Sequence, residues 1–248
     1  MSVTADSPVS LSAIDEERFG MRVARAPAMT LATVGPVLAF CRAEGVRMLI
    51  ARCPVDDLPA AQAMEREGFG LMDTLLYYAC VLPGVSLPRH ASSVVVRSMR
   101  RGEEADVMQV AAEAFRGYGG HYHADPRLDR AKCDETYASW AYRSCVSREL
   151  ADEVLVAEMD GRIGAFHTLR CNSAEETEWV LGGVAPWAQG RGAYWSIMRA
   201  GLQWGVARGV ARMIISTAIT NVAVQRVWTR LGFAPSHAFY TFHKWFDA

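Results

Sequence analysis

A chain of 248 residues with 51% hydrophobic side chains is long enough for one large domain or two small ones. Its net charge of −1 gives no general reason to expect binding to nucleic acid or to an anionic membrane. The six cysteines are scattered and form no Cys-x-x-Cys pair, so they do not resemble a zinc site or a redox dithiol.

Scattered single cysteines are typical of a reduced cytosol, where they act as small hydrophobes. Residues 1–15 lack the cationic start and apolar core of a signal peptide. No apolar run reaches the roughly 18 residues that span a bilayer. We therefore expect a cytoplasmic protein without membrane or nucleic-acid partners, either a monomer or a homodimer.

One break in composition divides the chain. The stretch "PGVSLPRHASS" (83–93) has two prolines, a glycine and three serines without periodicity, which is typical of a linker. It predicts a half-domain over 1–88 and a larger domain over 94–248.

The larger domain is predicted to alternate between strands and helices, because its apolar residues change between periods of two and of about 3.6. The predicted elements are a strand at 94–99, helices at 103–115 and 129–146, a hairpin over 153–170 turning at Asp160-Gly161, a strand at 177–184, a helix at 192–209, a strand at 211–217, a helix at 221–233 and a last strand at 237–246. The order is β-α-α-β-β-β-α-β-α-β.

The first half of the chain echoes the end of the second. "LAFCRAEGVRMLIAR" (38–52) parallels "LQWGVARGVARMIIS" (202–216). "AAQAMEREGFGLMDTLLYYACVL" (60–82) parallels "AVQRVWTRLGFAPSHAFYTFHKW" (223–245). Both pairs predict helix, strand, helix ending in Gly-Phe, and an aromatic strand. A weak internal repeat and coincidence between two α/β segments both account for the pattern.

The loop in "VAPWAQGRGAYWSIM" (184–198) is found only in the second half. Glycines at 190 and 192 allow the backbone to approach a ligand closely. The free N–H groups at the start of the following helix, with the helix dipole, favour phosphate or pyrophosphate. Arg191 adds a charge that can pair with phosphate oxygens. Many helices begin after Gly-x-Gly for structural reasons alone, so the spacing indicates a phosphate site without requiring one.

The loop and the elements after it resemble the GCN5-related N-acetyltransferases. The resemblance is carried by "V-x-P-x-x-Q-G-R-G-A" after a strand and by the later "N-x-A-x-x-x-x-W-x-x-L-G-F", and it covers roughly residues 94–246. It implies an α/β (α+β) fold with a mixed, mostly antiparallel sheet, flanking helices, and parallel fourth and fifth strands that splay apart. It also implies an acyltransferase that uses acetyl-coenzyme A.

The resemblance assigns the coenzyme to a defined set of residues. The set is Val184, Gln189, Gly190, Arg191, Gly192, Ala193, Tyr194 and Asn221. The pair Gly182-Gly183 would form the bulge of the fourth strand, and the amide N–H of Val184 would stabilise the thioester carbonyl. Two crowded small residues are the other interpretation of that pair.

The resemblance also suggests groups that could move protons. Glu178, six residues before Val184, corresponds to the general base of histone-type members, and an even offset keeps the two on one face unless a bulge intervenes. An exposed strand carboxylate is the other interpretation. His167 is a second candidate base, although a lone strand histidine is more often structural.

The family commonly has a tyrosine near the coenzyme sulfur where this chain has Trp228. An indole N–H donates a hydrogen bond but does not release its proton at neutral pH, so Trp228 either stabilises the sulfur by a hydrogen bond or simply lines the cleft. Tyr194, itself a departure from the usual small residue, and Tyr240 are alternative acids.

The stretch "FRGYGGHYHADPRLDRAKCDETYASW" (115–140) lies in the family's acceptor-binding region. Its aromatic and cationic side chains suit stacking on a base or sugar and pairing with phosphate; those singled out are Tyr118, His121, Tyr122, His123 and Arg127. A polar loop before a helix is the structural alternative, and His-x-His lacks a third ligand, so no metal is expected.

This stretch is also similar to sugar-nucleotide N-acetyltransferases of the dTDP-fucosamine acetyltransferase kind, which carry a degenerate N-terminal half-domain. That similarity implies a small-molecule acceptor, a nucleotide-linked 4-amino-4,6-dideoxy sugar. Small amines, antibiotics and protein N-termini remain open acceptors. A coenzyme A-binding module with little catalysis is an alternative of another class.

Overall fold

The computed structural model describes residues 7–86 and 93–247. The chain forms two compact units. Unit 1 comprises the described residues up to Leu76, Gly119–Lys132 and the residues from His237 onward, and unit 2 comprises the described residues of Tyr77–Tyr118 and Cys133–Ser236. Residues 87–92 of the predicted linker lie outside the described residues.

The described residues form strands and helices in an α/β pattern. The strands are β1 (Ser10–Leu11), β2 (Val23–Ala26), β3 (Met48–Pro54), β4 (Gly70–Val81), β5 (Val95–Ser98), β6 (Glu153–Met159), β7 (Arg162–Cys171), β8 (Glu176–Val184), β9 (Arg212–Ala218) and β10 (Ala234–Trp245). The helices are α1 (Ala13–Phe19), α2 (Val34–Ala43), α3 (Leu58–Arg66), α4 (Glu104–Ala114), α5 (His121–Ala124), α6 (Arg130–Val146), α7 (Ala193–Ala207) and α8 (Val222–Arg230), with a 3-10 turn at Pro186–Ala188.

Unit 1 has the strand order β1-β2-β3-β10. Strands β2 and β3 are parallel, and β10 is antiparallel to β3 from Phe239 to Trp245. Helices α2 and α3 cover an apolar core that includes Val37, Leu49 and Phe242. Helix α3 begins at a capped end, because the carboxylate of Asp57 accepts the amide N–H of Ala60 at 3.0 Å.

Unit 2 has the strand order β4-β9-β8-β7-β6-β5. Its sheet is antiparallel from β8 to β5, and β8 and β9 are parallel. Helices α4 and α6 pack on one face, where Val110, Tyr137 and Phe166 share a core. Helix α7 lies against β8, and a methyl group at Gly201 would lie 2.3 Å from the ring of Trp179. This glycine therefore allows the helix to approach the sheet closely.

The predicted order of elements in the second half is confirmed, with one addition. The short helix α5 lies between α4 and α6, within the stretch that the sequence predicts as a loop. The hairpin turn at Asp160-Gly161 is also confirmed, since both residues have positive φ angles, 53° and 72°. The α/β fold with a mixed, mostly antiparallel sheet is as expected.

The order of elements also repeats as the sequence suggests. A parallel strand–helix–strand segment followed by a helix and a further strand occurs as β2-α2-β3-α3-β4 and again as β8-α7-β9-α8-β10. The compact units do not follow a single cut near residue 90, however, because unit 1 contains Gly119–Lys132 and the end of β10. Within the residues that the structure describes, no helix is both long and apolar enough to cross a membrane.

Candidate active site

Strand β8 contains one extra residue, Val180, relative to its neighbour β7. Thr168 is opposite Leu181 and Leu169 is opposite Trp179, so the ladder passes over Val180. The side chain of Thr168 closes this bulge: its Oγ1 accepts the amide N–H of Leu181 at 3.1 Å and donates to the carbonyl of Leu181 at 3.3 Å. The bulge therefore lies two residues before the Gly-Gly pair that the sequence predicts for it.

Strands β8 and β9 part at this bulge. Their pairing runs from Glu176 opposite Arg212 to Trp179 opposite Ile215. Strand β8 then continues to Val184, and its pairing over this stretch is with β7. The predicted splay of the two parallel strands is confirmed, and the strands are unpaired with each other from Val180 onward among the described residues.

The bulge also changes the face on which Glu178 lies. Arg170 is opposite Glu178, and Ala165 is opposite Val184. Residues that pair across two strands lie on the same face of the sheet, and successive residues of one strand alternate between faces. Ala165 and Arg170 are an odd number of residues apart on β7, so they lie on opposite faces. Their partners Val184 and Glu178 therefore also lie on opposite faces. The expectation that Glu178 and Val184 share a face is therefore wrong, because the extra residue Val180 lies between them.

The carboxylate of Glu178 is engaged within its own face. Arg170 donates to it at 2.8 Å and the side-chain amide of Asn172 donates at 3.2 Å. The Glu178 side chain is 14% exposed. The carboxylate is thus held by a cation and an amide on the face opposite to Val184, which does not support a role as base beside that residue.

The glycine pair is required by packing. A methyl group at Gly182 would lie 2.2 Å from the imidazole of His167, and one at Gly183 would lie 2.8 Å from Cβ of Ala114. Both neighbours are too close for any side chain. The interpretation as crowded small residues is therefore correct for these two positions, while the bulge is a separate feature.

His167 is buried against Gly182, with 4% of its surface exposed. Neither ring nitrogen has a hydrogen-bond partner among the described residues. Burial lowers the pKa of His167 to about 3. The ring is therefore neutral near pH 7 and is a poor proton acceptor, which contradicts its selection as a base.

Trp228 of α8 is buried, and its indole N–H is already used. The N–H donates to the hydroxyl of Tyr194 at 2.7 Å. The ring of Tyr78 packs edge-on against the indole, with 5.3 Å between ring centroids. Burial raises the pKa of Tyr194, and the bond from Trp228 opposes this only in part. Tyr240, the other candidate acid, lies in unit 1, where its ring packs against the core of that unit.

The predicted phosphate loop follows β8 and ends at the start of α7. Gly190 and Gly192 have positive φ angles of 73° and 85°, and no atom lies within 4 Å of a methyl group built at Gly190. Helix α7 has no side-chain cap, and its first helical bond runs from the amide of Ser196 to the carbonyl of Gly192 at 3.0 Å. The amides of Ala193 and Tyr194 thus have no partner within the helix.

Other residues of the predicted coenzyme set are placed around this loop in unit 2. Gln189 is exposed. Arg191 forms an ion pair with Asp160 of the β6–β7 turn at 2.7 Å, and both side chains are largely exposed. Asn221 precedes α8, and its side-chain amide donates to Thr217 at 3.1 Å.

Of the predicted acceptor residues, Tyr118 alone belongs to unit 2. Its ring packs edge-on against Phe115 and Tyr137, with centroids 5.3 and 5.4 Å away, and those two rings are stacked at 4.3 Å. This aromatic group, at the end of α4 and on α6, leaves Tyr118 partly exposed.

In unit 1, Tyr122 is 4% exposed and its hydroxyl donates to Asp15 at 2.9 Å and accepts from Arg25. Its ring is therefore not available for stacking on a ligand, contrary to the sequence-based expectation. His123 is buried as well. Arg127 remains largely exposed, with its guanidinium 4.1 Å from the ring centre of Trp245 and an ion pair to Asp247 at 2.5 Å.

The sequence analysis missed a second set of polar residues in unit 1. Asp125 and His243 are buried and bonded at 2.7 Å, and Trp245 also donates to Asp125. His243 follows the buried Phe242 on β10, so the signal in the sequence was a histidine in an otherwise mostly aromatic strand. Nothing in the spacing linked it to an aspartate 118 residues earlier.

With this geometry established, comparisons with known proteins identify the family. Residues 110–233 match the family model described as the acetyltransferase (GNAT) family, which covers half of the chain. The protein therefore belongs to the GNAT family of acyltransferases, whose members generally use acetyl-CoA.

Individual relatives are more distant. A 79-residue stretch is 34% identical to the mycothiol acetyltransferase of Nocardia farcinica (strain IFM 10152) and covers 31% of this chain and 26% of that protein, so the match spans about a quarter of the relative's length. A functionally unknown conserved protein from Staphylococcus epidermidis ATCC 12228 is similar in structure (TM-score 0.66, 15% identity, 99% of this chain and 94% of that chain). A GCN5-related N-acetyltransferase from Sphaerobacter thermophilus is also similar (TM-score 0.62, 16% identity, 96% and 76%). At these identities the structural likeness shows the fold alone.

The bond between Trp228 and Tyr194 can be tested by a double-mutant cycle. Trp228→Phe leaves the Tyr194 hydroxyl without its donor, and Tyr194→Phe leaves the indole N–H without its acceptor, so each should lower the free energy of unfolding by about 1–3 kcal/mol. The double variant should be less destabilised than the sum by about 0.5–1.5 kcal/mol in urea unfolding. Tyr194→Phe combined with Trp204→Phe, on the same helix, should be additive. Additivity in both pairs would contradict the bond.

His167 predicts a dependence of stability on pH. Its folded-state pKa of about 3 lies below the ordinary value of about 6.5, so the unfolded state binds the proton first as the pH falls. The contribution of neutral His167 to the free energy of unfolding is therefore complete above pH 6.5, and it is lost as the pH falls from there toward 3. Wild type should lose up to about 1.4 kcal/mol per pH unit more than His167→Gln in urea unfolding between pH 6 and pH 4.5. Parallel curves for the two proteins would show that His167 is not held neutral by burial.

Proposed function

We propose that the protein transfers an acetyl group from acetyl-CoA to a primary amine, and that the loop from Gln189 to Tyr194 binds the pyrophosphate of the coenzyme. The observation that carries this proposal is the uncapped start of α7. The left-handed glycines expose the backbone, the space over Gly190 is open, and the amides of Ala193 and Tyr194 lack helical partners. These are the donors and the dipole that an anion needs.

Arg191 can supply a charge to the same anion. Its present partner, Asp160, is 73% exposed and Arg191 is 46% exposed. An exposed ion pair is worth only about 0–1 kcal/mol, so exchange of Asp160 for a pyrophosphate oxygen costs little. A bidentate bond from the guanidinium to phosphate is stronger than this surface pair.

The unpaired ends of β8 and β9 support a place for the pantetheine arm beside the loop. Strand β8 from Val180 to Val184 is not bonded to β9, so backbone groups on that side can bond to an extended ligand. The coenzyme supplies the acetyl group as a thioester. The amide N–H of Val184 is the proposed donor to the thioester carbonyl, and Asn221, before α8, is the proposed contact to the arm.

The leaving thiolate does not require a strong acid. Its parent thiol has a pKa of about 8.5, so it departs without full protonation. Trp228 gives its N–H to Tyr194, and we therefore assign it a positioning role. Tyr194 is the proposed hydrogen-bond donor toward the cleft in unit 2, because its oxygen accepts from Trp228 and its own proton remains to be donated.

For the acceptor we propose a nucleotide-linked 4-amino-4,6-dideoxy sugar. The partly exposed ring of Tyr118, in unit 2, suits stacking on a sugar or base. A small amine, an antibiotic and a protein N-terminus are alternative acceptors, and the name of the Nocardia relative adds a mycothiol-type acceptor. We also propose that the first half of the chain is a degenerate copy of the acetyltransferase half, which the repeated element order supports.

The coenzyme site can be tested by direct binding. Gly190→Asp places a carboxylate in the open space of the loop, and like-charge repulsion should weaken acetyl-CoA binding by at least about 30-fold in isothermal titration calorimetry. Gly190→Asn has the same shape without the charge and should lose much less. Gly209→Asp, after the other end of α7, is a matched control, because Gly209 has a φ of 69° and equally open space. Equal affinity of Gly190→Asp and Gly209→Asp would refute the loop assignment.

The acceptor class can be tested by release of free thiol from acetyl-CoA over a panel of amines. The panel contains nucleotide-linked 4-amino-4,6-dideoxy sugars, polyamines, aminoglycosides, peptides and mycothiol-type acceptors. We expect kcat/KM to be highest for the sugar nucleotide by about 10-fold or more. Tight acetyl-CoA binding without turnover of any amine would favour the alternative of a coenzyme A-binding module.

A further inference from the structure

The two faces of strand β8 are covered by different helices of unit 2. On one face, Trp179 lies against Gly201 of α7. On the other, Gly183 is opposite Phe166, which belongs to the core that α4 and α6 share. Leu169, the β7 partner of Trp179, is an odd number of residues from Phe166, so the two faces are opposite. The coenzyme loop therefore leads into a helix on one face, and α4 lies on the other.

The N–H of Val184 is directed into the gap between β8 and β9. The amide of Ala185 donates to the carbonyl of Gly164, on the β7 side, at 2.8 Å. Successive N–H groups of an extended strand point to opposite sides, so the N–H of Val184 is directed away from β7. On that side, the described pairing of β8 with β9 ends at Trp179. The proposed donor to the thioester carbonyl thus points to the place proposed for the pantetheine arm.

The end of helix α4 closes the sheet face at Gly183. A methyl group built at Gly183 would lie 2.8 Å from Cβ of Ala114, and 3.4 Å from ring atoms of Phe115 and Phe166. Gly183 directly precedes Val184, so these neighbours stand beside the peptide that carries the proposed donor. Phe166 is fully buried in the core and Ala114 has only a methyl group, whereas Phe115 is a large, half-buried side chain. Phe115 is therefore the large side chain at the open side of this contact.

The ring of Phe115 is held in place by two other rings. It is stacked on Tyr137 of α6, with 4.3 Å between ring centroids and 11° between the planes. Tyr118 packs edge-on against both rings, at 5.3 and 5.4 Å. The turn after α4 is also attached to α6, because the amide of Gly117 donates to the carboxylate of Asp134 at 3.2 Å. Rotation of the Phe115 ring would break the stacked and edge-on contacts, so the ring is a fixed wall.

We propose that Phe115 determines the length of the acyl group that the enzyme accepts, because its ring admits an acetyl group and excludes longer chains. This inference rests on the proposed acetyl transfer. The coenzyme loop lies at the start of α7, so an arm that enters the gap from that face brings its acyl end toward the face of α4. An acetyl group has one methyl group beyond its carbonyl carbon. Each further CH2 group has to displace a ring that is packed against two others.

The assignment is tested by the binding of acyl-CoA thioesters to the full chain, without an acceptor amine. Isothermal titration calorimetry with free CoA, acetyl-CoA, propionyl-CoA and butyryl-CoA gives the ratio of Kd values for butyryl-CoA and acetyl-CoA. In wild type, butyryl-CoA should bind at least about 10-fold more weakly than acetyl-CoA, with propionyl-CoA between them. In Phe115→Ala the two affinities should come within about threefold of each other, because the space of the ring becomes available to the chain.

Met108→Ala is the matched control. It also removes a large apolar side chain from α4, but Met108 is 39% exposed, so this variant should keep the wild-type ratio. Phe115→Leu keeps an apolar side chain without the flat ring and should give an intermediate ratio; it carries the test if Phe115→Ala does not fold. Each ratio compares two ligands on one protein, so a general loss of stability or of coenzyme affinity cancels from it.

The outcomes separate the role of Phe115 from the proposed function. Wild-type affinities for butyryl-CoA and acetyl-CoA within about twofold of each other, or a ratio that neither Phe115 variant changes, would overturn the role of Phe115. If wild type binds neither free CoA nor acetyl-CoA, the proposed function itself is refuted. Normal binding of acetyl-CoA with an unchanged ratio refutes the role of Phe115 alone.

Discussion

The extra residue in β8 is the constraint on which the arrangement of unit 2 depends. Up to Trp179 the strand is held between β7 and β9, and its position is fixed by the close contact of Trp179 with Gly201 of α7. At Val180 the ladder shifts, and Thr168 bonds both backbone groups of Leu181, so the strand remains attached to β7. Because the bulge separates β8 from β9 without leaving buried backbone groups unpaired on the β7 side, a gap can exist inside a stable sheet.

The family resemblance predicted this gap but not its cause in this chain. The order of strands and helices, the Asp160-Gly161 turn and the glycine loop follow from local rules of periodicity and positive φ, which a sequence displays directly. A bulge depends on the register between two strands, and here the extra residue is an unremarkable valine while the adjacent glycines serve packing against His167 and Ala114. The same register reversed the face expected for Glu178, because parity along a strand survives only where no residue is inserted.

The two departures from the family pattern, Trp228 and Tyr194, are explained by each other. Each alone is a bulky residue in a region where the pattern has another type. In the structure the indole N–H donates to the phenol oxygen at 2.7 Å, so each polar atom satisfies the other in a largely buried environment. Residues 34 positions apart in sequence give no sign of such a pair, since Tyr194 lies on α7 and Trp228 on α8, and strand β9 stands between the two helices in the sequence. The indole is therefore neither an idle core residue nor a free donor to sulfur.

The titratable groups of the protein also have environments that depend on residues far away in the sequence, as the bond between Asp125 and His243 shows. The sequence analysis selected His121 for binding the acceptor and Glu178 for its resemblance to the base of histone-type members, but the ability to accept a proton depends on the charges around each group. Glu178 is already paired with Arg170, and His167 is enclosed without a hydrogen-bond partner among the described residues. His121 is linked by two hydrogen bonds to an aspartate that three donors keep ionised. A fully bonded buried carboxylate is costly to assemble unless each of its donors is fixed, and here the donors to Asp125 are an imidazole, an indole and a backbone amide that come from separate parts of the chain.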